Sequence, residues 1–317
     1  AGQRCSALRI LCVQEDIADH VVAMIKGAMD ELIVDNPAAL STDVGPVIDE
    51  EAQKNLLEHI NALKQIAPYH EVAIASDAPS TFVAPILFEL KDLSQLKKEV
   101  FGPVLHVVRF AAHELNDLID SINKKGYALT HGIHSRIDGT IDQITDRIQA
   151  GNVYINRNIV GAVVGVQPFG GHGMSGTGPK AGGPFYLQRL SQLTNWQKPT
   201  VDTPASIDHT ALSKVQRLAH KLLTSDNEKA NFDAVAQQAI NSSLNQASVI
   251  LPGPTGETNT LSWHAPKQVA LYGGSQSQAL DALAILAANG IITQVRPSHV
   301  LAEHANELIG VLKVVEE

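Results

Sequence analysis

The chain has 317 residues, 44% of them hydrophobic and 18% charged, which is enough for two domains that each bury a core. A net charge of -9 with no basic stripe argues against nucleic-acid binding, because nothing is present to displace counterions from phosphates. No apolar run approaches the roughly 18 residues of a membrane span, and two cysteines, Cys5 and Cys12, make no disulfide framework, so a reducing, cytoplasmic setting is expected.

In chain order, Cys5 comes first. It follows Gly2-Gln3-Arg4 and precedes a short helix-compatible run, with Arg4 and Arg9 adding positive charge. A helix start would lower the thiol's pKa and hold an oxyanion, whereas a lone Cys is as readily a small buried apolar residue. The opening lacks the basic-then-apolar pattern of a signal peptide. A reactive motif this close to the first residue suggests a fragment or processed product.

Leu8 to Gln14 reads as a buried strand. It is followed by an amphipathic helix from Glu15 to Val34 and a second from Asp49 to about Gln65. Short strands are predicted at 71–75 and 81–88, and a mostly apolar strand over 104–110 should be buried on both faces. A helix over 113–125 capped by Gly126, a strand over 130–135, a helix over 140–150 capped by Gly151 and a strand over 152–156 complete an α/β alternation. That pattern favours a mostly parallel sheet.

Between Gly161 and Pro184 lie nine glycines and three prolines, too many for a regular element. Val163, Val164, Val166 and Phe169 are poor choices for a solvated linker, so the stretch reads as a packed functional loop. A strand-like segment over 185–196 and a linker over 197–204 follow.

The expected domains are 1–197 and 198–317. The second should carry helices near 212–223 and 227–245, a strand over 247–251, and a βαβ unit in which a strand at 268–272 leads through Gly273-Gly274-Ser275 and a long Ala/Leu helix to a strand at 291–296. A last helix is predicted over 300–312. The Gly-Gly-Ser turn lacks the full dinucleotide fingerprint, so a tight strand-to-helix turn is the better account. The 13 histidines are scattered and no metal-ligand spacing occurs, so no metal site is expected.

Three motifs stand in order in the first domain: Gly-Gln-Arg-Cys-Ser at 2–6, Glu-Val-Phe-Gly-Pro at 99–103, and Gln-Pro-Phe-Gly-Gly at 167–171 with Ser-Gly-Thr-Gly at 175–178. Together they resemble the aldehyde dehydrogenase superfamily. The flanking stretches 161–165 and 179–184 are similar to its Δ1-pyrroline-5-carboxylate (glutamate semialdehyde) dehydrogenase branch. The chain as a whole resembles the C-terminal part of the bacterial proline utilization A family of bifunctional proline and semialdehyde dehydrogenases.

That resemblance implies an aldehyde dehydrogenase catalytic domain followed by a smaller Rossmann-like domain without chemistry of its own. It implies Cys5 as nucleophile, Glu99 and Phe101 at the nicotinamide ribose of NAD, and Ser6, Gly161, Ala162 and Phe169 around glutamate semialdehyde. It also implies FAD in a proline dehydrogenase domain outside this chain, a homodimer formed through the segment 185–196, and a parent protein peripheral to the inner membrane. The superfamily's general base, oxyanion Asn and NAD-binding domain precede the Cys, so the isolated chain is expected to be inactive. One alternative is a structural or assembly piece whose C-terminal domain covers a cavity or supports oligomerisation. A Cys-dependent hydrolase using His172 or His134 as base is another.

Overall fold

The computed structural model describes residues 2–75, 81–176, 178–191 and 198–315. The chain divides into two units, Ala1–Val164 with Pro168–Arg189 and Gly165–Gln167 with Leu190–Glu317.

In the first unit β1 (Ile10–Gln14) runs straight into α1 (Glu15–Asp30), whose Glu15 and Asp16 sit at the positive end of the helix dipole. Helix α2 (Glu50–Lys64) is capped by Asp49, whose carboxylate accepts from the Ala52 N–H at 2.8 Å. Strands β2 (Tyr69–Glu71) and β3 (Ile86–Leu90) are displaced from the predicted 71–75 and 81–88. Pro85 has no N–H to offer a ladder, so regular pairing starts just after it. Then come β4 (Val104–Phe110), α3 (Leu115–Lys124), β5 (Tyr127–Ala128), β6 (Thr130–Ile133), α4 (Asp138–Arg147), β7 (Asn152–Ile155), β8 (His172–Gly173) and α5 (Tyr186–Leu190).

The main sheet has the order β1-β4-β3-β2, parallel except for β2. Alternation along β3 sends Ile86, Phe88 and Leu90 to the α2 side, with Leu56, Ile60 and Leu63. Leu87 and Val107 go to the α1 side, with Ala18 and Val22. The apolar run of β4 is therefore buried on both faces, as the sequence predicts. Strands β6 and β7 form a separate parallel pair, and β5 pairs antiparallel with β8.

Helix α5 corrects the expected strand over 185–196. It follows Gly182-Gly183-Pro184, and the Tyr186 N–H turns back to the Gly183 carbonyl at 3.3 Å. Residues 192–197, which include the last five positions of that expected dimer strand, lie outside the described residues.

In the second unit α6 (His209–Leu222) and α7 (Asp226–Ser242) precede an antiparallel pair, β9 (Ser248–Leu251) and β10 (Asn259–Ser262). Then β11 (Gln268–Ala270), α8 (Gln276–Ala288) and β12 (Ile292–Val295) form a βαβ unit with parallel strands. The expected final helix does not form. Successive N–H groups at His304, Ala305, Glu307, Leu308 and Val311 bond three residues back, giving turns. These turns still bury Leu301, Leu308 and Val311, and the chain ends in β13 (Leu312–Val314), parallel to β12. Among the described residues no helix is long and apolar enough to cross a membrane.

Candidate active site

Cys5 sits on a four-residue turn closed by the Ala7 N–H on the Arg4 carbonyl at 3.1 Å. This corrects the expected helix start. The His106 N–H already claims the Arg9 carbonyl at 2.9 Å, so the chain must be extended by Arg9 to enter β1, and the turn cannot be continued. The turn leaves Cys5 exposed and buries Ser6. The other thiol differs: desolvation within β1 pushes Cys12 up to about 12, far from a reactive thiolate.

The cofactor-motif loop lies against this turn. A Cβ on Gly2 would stand 1.9 Å from the Gly102 carbonyl oxygen, so the two backbones touch where only glycine fits. The Arg9 side chain bridges the rest of the contact. Its Nε donates to the Val100 carbonyl at 3.1 Å, Nη1 to the carbonyls of Ala7 at 3.0 Å and Cys5 at 3.4 Å, and Nη2 to that of Arg4 at 2.9 Å. The guanidinium also lies over the Phe101 ring, 4.4 Å from its centre, with the Glu99 carboxylate 3.7 Å from Nε. Burial pulls Arg9 below its ordinary pKa, and the nearby Glu99 and Cys5 oppose that shift. Cys5, Ser6, Glu99 and Phe101 are thus gathered, and Glu99 and Phe101 keep about two-fifths of their surface open (42% and 41%).

Behind Arg9 is a feature with no signal in the sequence. His106 on β4 is 1% exposed; its Nδ1 faces the Arg9 carbonyl at 2.9 Å and its Nε2 faces His59 Nε2 at 2.9 Å. The first contact makes Nδ1–H a donor, so Nε2 must accept from His59. Burial lowers His106 to about 4, which keeps it neutral. His59 and His106 are 47 positions apart and belong to different elements, so only the fold joins them.

The glycine-rich loop joins through β5. The Glu99 N–H donates to Tyr127 Oη at 3.3 Å, Tyr127 and Ala128 pair with Gly173 and His172, and Ser175 Oγ accepts from the Ala128 N–H at 3.0 Å. Phe169 and Ala181 exchange backbone bonds of 2.9 and 2.8 Å, while Asn152 on β7 holds the Pro168 carbonyl at 2.9 Å. Lys180 Nζ caps the Gly151 carbonyl. The loop is therefore held in place by its backbone bonds and by Asn152 and Lys180, with Val166 and Phe169 partly buried. Val163 and Val164 are exposed (55% and 83%), which corrects the expectation that these two valines pack. Gly161 has φ +84 and its carbonyl accepts from Arg157 at 3.3 Å; Ala162 follows it, partly buried.

Among the described residues no hydrogen bond joins Gly161, Ala162 or Phe169 to Cys5 or Ser6, and none joins His172 or His134 to Cys5. No group of three His, Cys, Asp or Glu side chains among them could hold a metal.

Residues 1–196 match the aldehyde dehydrogenase family. The chain is 44% identical over 304 residues to the bifunctional protein PutA of Klebsiella aerogenes, covering 92% of this chain and 23% of that protein. It is 35% identical over 189 residues to the 1-pyrroline-5-carboxylate dehydrogenase of Geobacillus kaustophilus, covering 59% of this chain and 36% of the other. A crystal structure of a variant of Bradyrhizobium japonicum proline utilization A superposes with a TM-score of 0.58 at 54% identity, over 60% of this chain and 19% of that one. The chain spans under a quarter of the length of its PutA relatives. The match runs through all three motif segments that the fold links together, and the chain belongs to the aldehyde dehydrogenase family.

Proposed function

We propose that this chain contributes the thiol-bearing part of an NAD-dependent L-glutamate-γ-semialdehyde dehydrogenase, within a longer bifunctional protein of proline catabolism. The observation that carries it is the exposed Cys5 turn seated against the Glu99–Phe101 loop. Relatives named PutA and 1-pyrroline-5-carboxylate dehydrogenase support the substrate class.

The exposed Glu99 carboxylate and the adjacent Phe101 ring fit the ribose end of a nicotinamide cofactor, since a carboxylate accepts two hydroxyl hydrogen bonds. Glu99 and Phe101 would hold that end. NAD+ supplies the hydride acceptor for the oxidation when bound. Cys5 attacks the aldehyde carbon as a thiolate, forming a C–S bond and placing the oxygen's charge beside the turn. After oxidation the acyl group is held on Cys5 as a thioester. Water cleaves it, releasing the carboxylic acid and returning the thiol.

Ser6, buried beside Cys5, and the Gly161–Ala162 backbone are assigned to the substrate's carboxylate and amino end, and Phe169 to its aliphatic chain. In the full-length protein, Cys5→Ala is expected to abolish NADH formation from glutamate semialdehyde, and retained turnover would overturn the assignment. The homodimer implied by the family belongs to the same proposal and is tested by the solution mass of the full-length protein.

A structural role for the second unit is favoured by one observation. Ser275 Oγ accepts from the Gln278 N–H at 3.3 Å and Gln278 Oε1 accepts from the Ser275 N–H at 3.0 Å, so the start of α8 uses its own side chains where a phosphate would bind.

A further inference from the structure

We propose that Arg9 is a positioning residue, a clamp that sets the nucleophile turn against the cofactor loop; this rests on the assignment of Cys5 and Glu99 above. Arg9 donates to both sides of one seam. Arg4, Cys5 and Ala7 present carbonyls from the turn, and Val100 presents one from the loop. The side chain is 13% exposed, and its bonds to the Val100 and Ala7 carbonyls, one on each side of the seam, are partly buried, where a charged donor counts for more.

The division of labour among the nitrogens matters. Nε is used on the Val100 carbonyl, which leaves the Glu99 carboxylate at 3.7 Å as a charge partner with its oxygens available to a ligand's hydroxyls. The guanidinium plane also fixes the Phe101 ring from one side. The Arg9 backbone is held in turn, because its carbonyl accepts from both the N–H and Nδ1 of His106. One residue therefore couples the attacking sulfur, the carboxylate and the ring to the edge of the sheet. A lysine has the charge and a stem but a single nitrogen, which cannot reach Arg4, Ala7 and Val100 at once.

The test is hydrogen exchange on the 317-residue chain, comparing wild type with Arg9→Gln and Arg9→Lys. The hydrogen-bonded amides of the two segments, Ala7 in the turn and Glu99 in the loop, are expected to exchange faster together, by about tenfold or more, in both variants, while Leu11 to Val13 in β1 keep wild-type protection. Wild-type exchange of both segments in Arg9→Lys would show that charge suffices and overturn the clamp, as would loosening of one segment alone. Loss of β1 protection would assign Arg9 to folding and overturn it too.

In the full-length protein, Arg9→Ala is expected to lower kcat by about 10- to 100-fold and to be rescued by added ethylguanidinium but not by ethylammonium. Equal rescue by both, or by neither, counts against the clamp. Cys5→Ala separates the two claims. If it keeps turnover, the catalytic assignment fails and exchange alone judges the clamp; if it loses turnover while exchange at the seam is unmoved by Arg9→Lys, the clamp fails and the assignment stands.

Discussion

The turn at Gly273–Ser275 follows a strand, opens a 13-residue helix and has the local shape of a phosphate cradle, whereas the turn at Arg4–Ala7 opens no regular element at all. Yet the first is closed on itself by the Ser275–Gln278 capping box, and the second is met by Glu99, Phe101 and Arg9 from beyond its own segment. The surrounding units differ in the same sense. The second is organised round an apolar core in which Leu212, Val215, Phe232, Leu280 and Leu283 are buried together. The first has two such layers, but its site is held by side chains on backbone carbonyls and by backbones in contact. A site is made by what distant segments bring to a turn more than by the turn's own outline.

The contrast can be broken at either end. The largest effect is expected in the apolar core: Phe232→Ala, at a site 1% exposed, should cost about 3–5 kcal/mol in denaturant unfolding, because the cavity cannot refill. Next is the pH response of the first unit. His106 falls from 6.5 unfolded to about 4 folded, so only the unfolded chain binds its proton in that window. Stability contributed above pH 6.5 should therefore be lost as pH drops towards 4, on the order of 3 kcal/mol, and His106→Gln should flatten that part of the curve.

A smaller effect is expected at Gly151, where a Cβ would lie 1.9 Å from the Gly170 carbonyl oxygen. Gly151→Ala should cost about 1–3 kcal/mol and raise proteolysis within the glycine-rich loop. The smallest is Ser275→Ala, about 1 kcal/mol of stability with nicotinamide-cofactor affinity unchanged in the full-length protein. A fall in that affinity would make the capped turn a ligand site and erase the contrast.

Much of the fold was legible because its elements carry strong periodicity. The helices α1, α2, α6, α7 and α8 and the strands β1, β4, β7, β9 and β12 fall close to where the pattern puts them. Misses occur where local and tertiary demands compete. The 300–312 segment has helical apolar spacing, and a run of tight turns buries the same leucines. At Cys5 a helix-compatible run yields to the strand that follows. Within the site, motif order marked Cys5, Glu99 and Phe101, and Arg9 stood out only as a nearby charge. Its bonds to four carbonyls leave no trace in spacing. The His59–His106 pair left none either, since each residue alone is an ordinary histidine in a helix or strand.

Gly102 has a neighbour on each side. A Cβ there would meet Leu56 of α2 at 2.5 Å, while the Gly102 carbonyl fills the space that a side chain on Gly2 would need. The peptide at 102 thus acts as a shim between helix α2 and the segment that leads into the nucleophile turn. The two sides differ in give: a side chain at Gly102 meets the movable methyls of Leu56, whereas one at Gly2 meets the backbone of Gly102 and Pro103, so the turn side of the seam is the one that tolerates no residue but glycine.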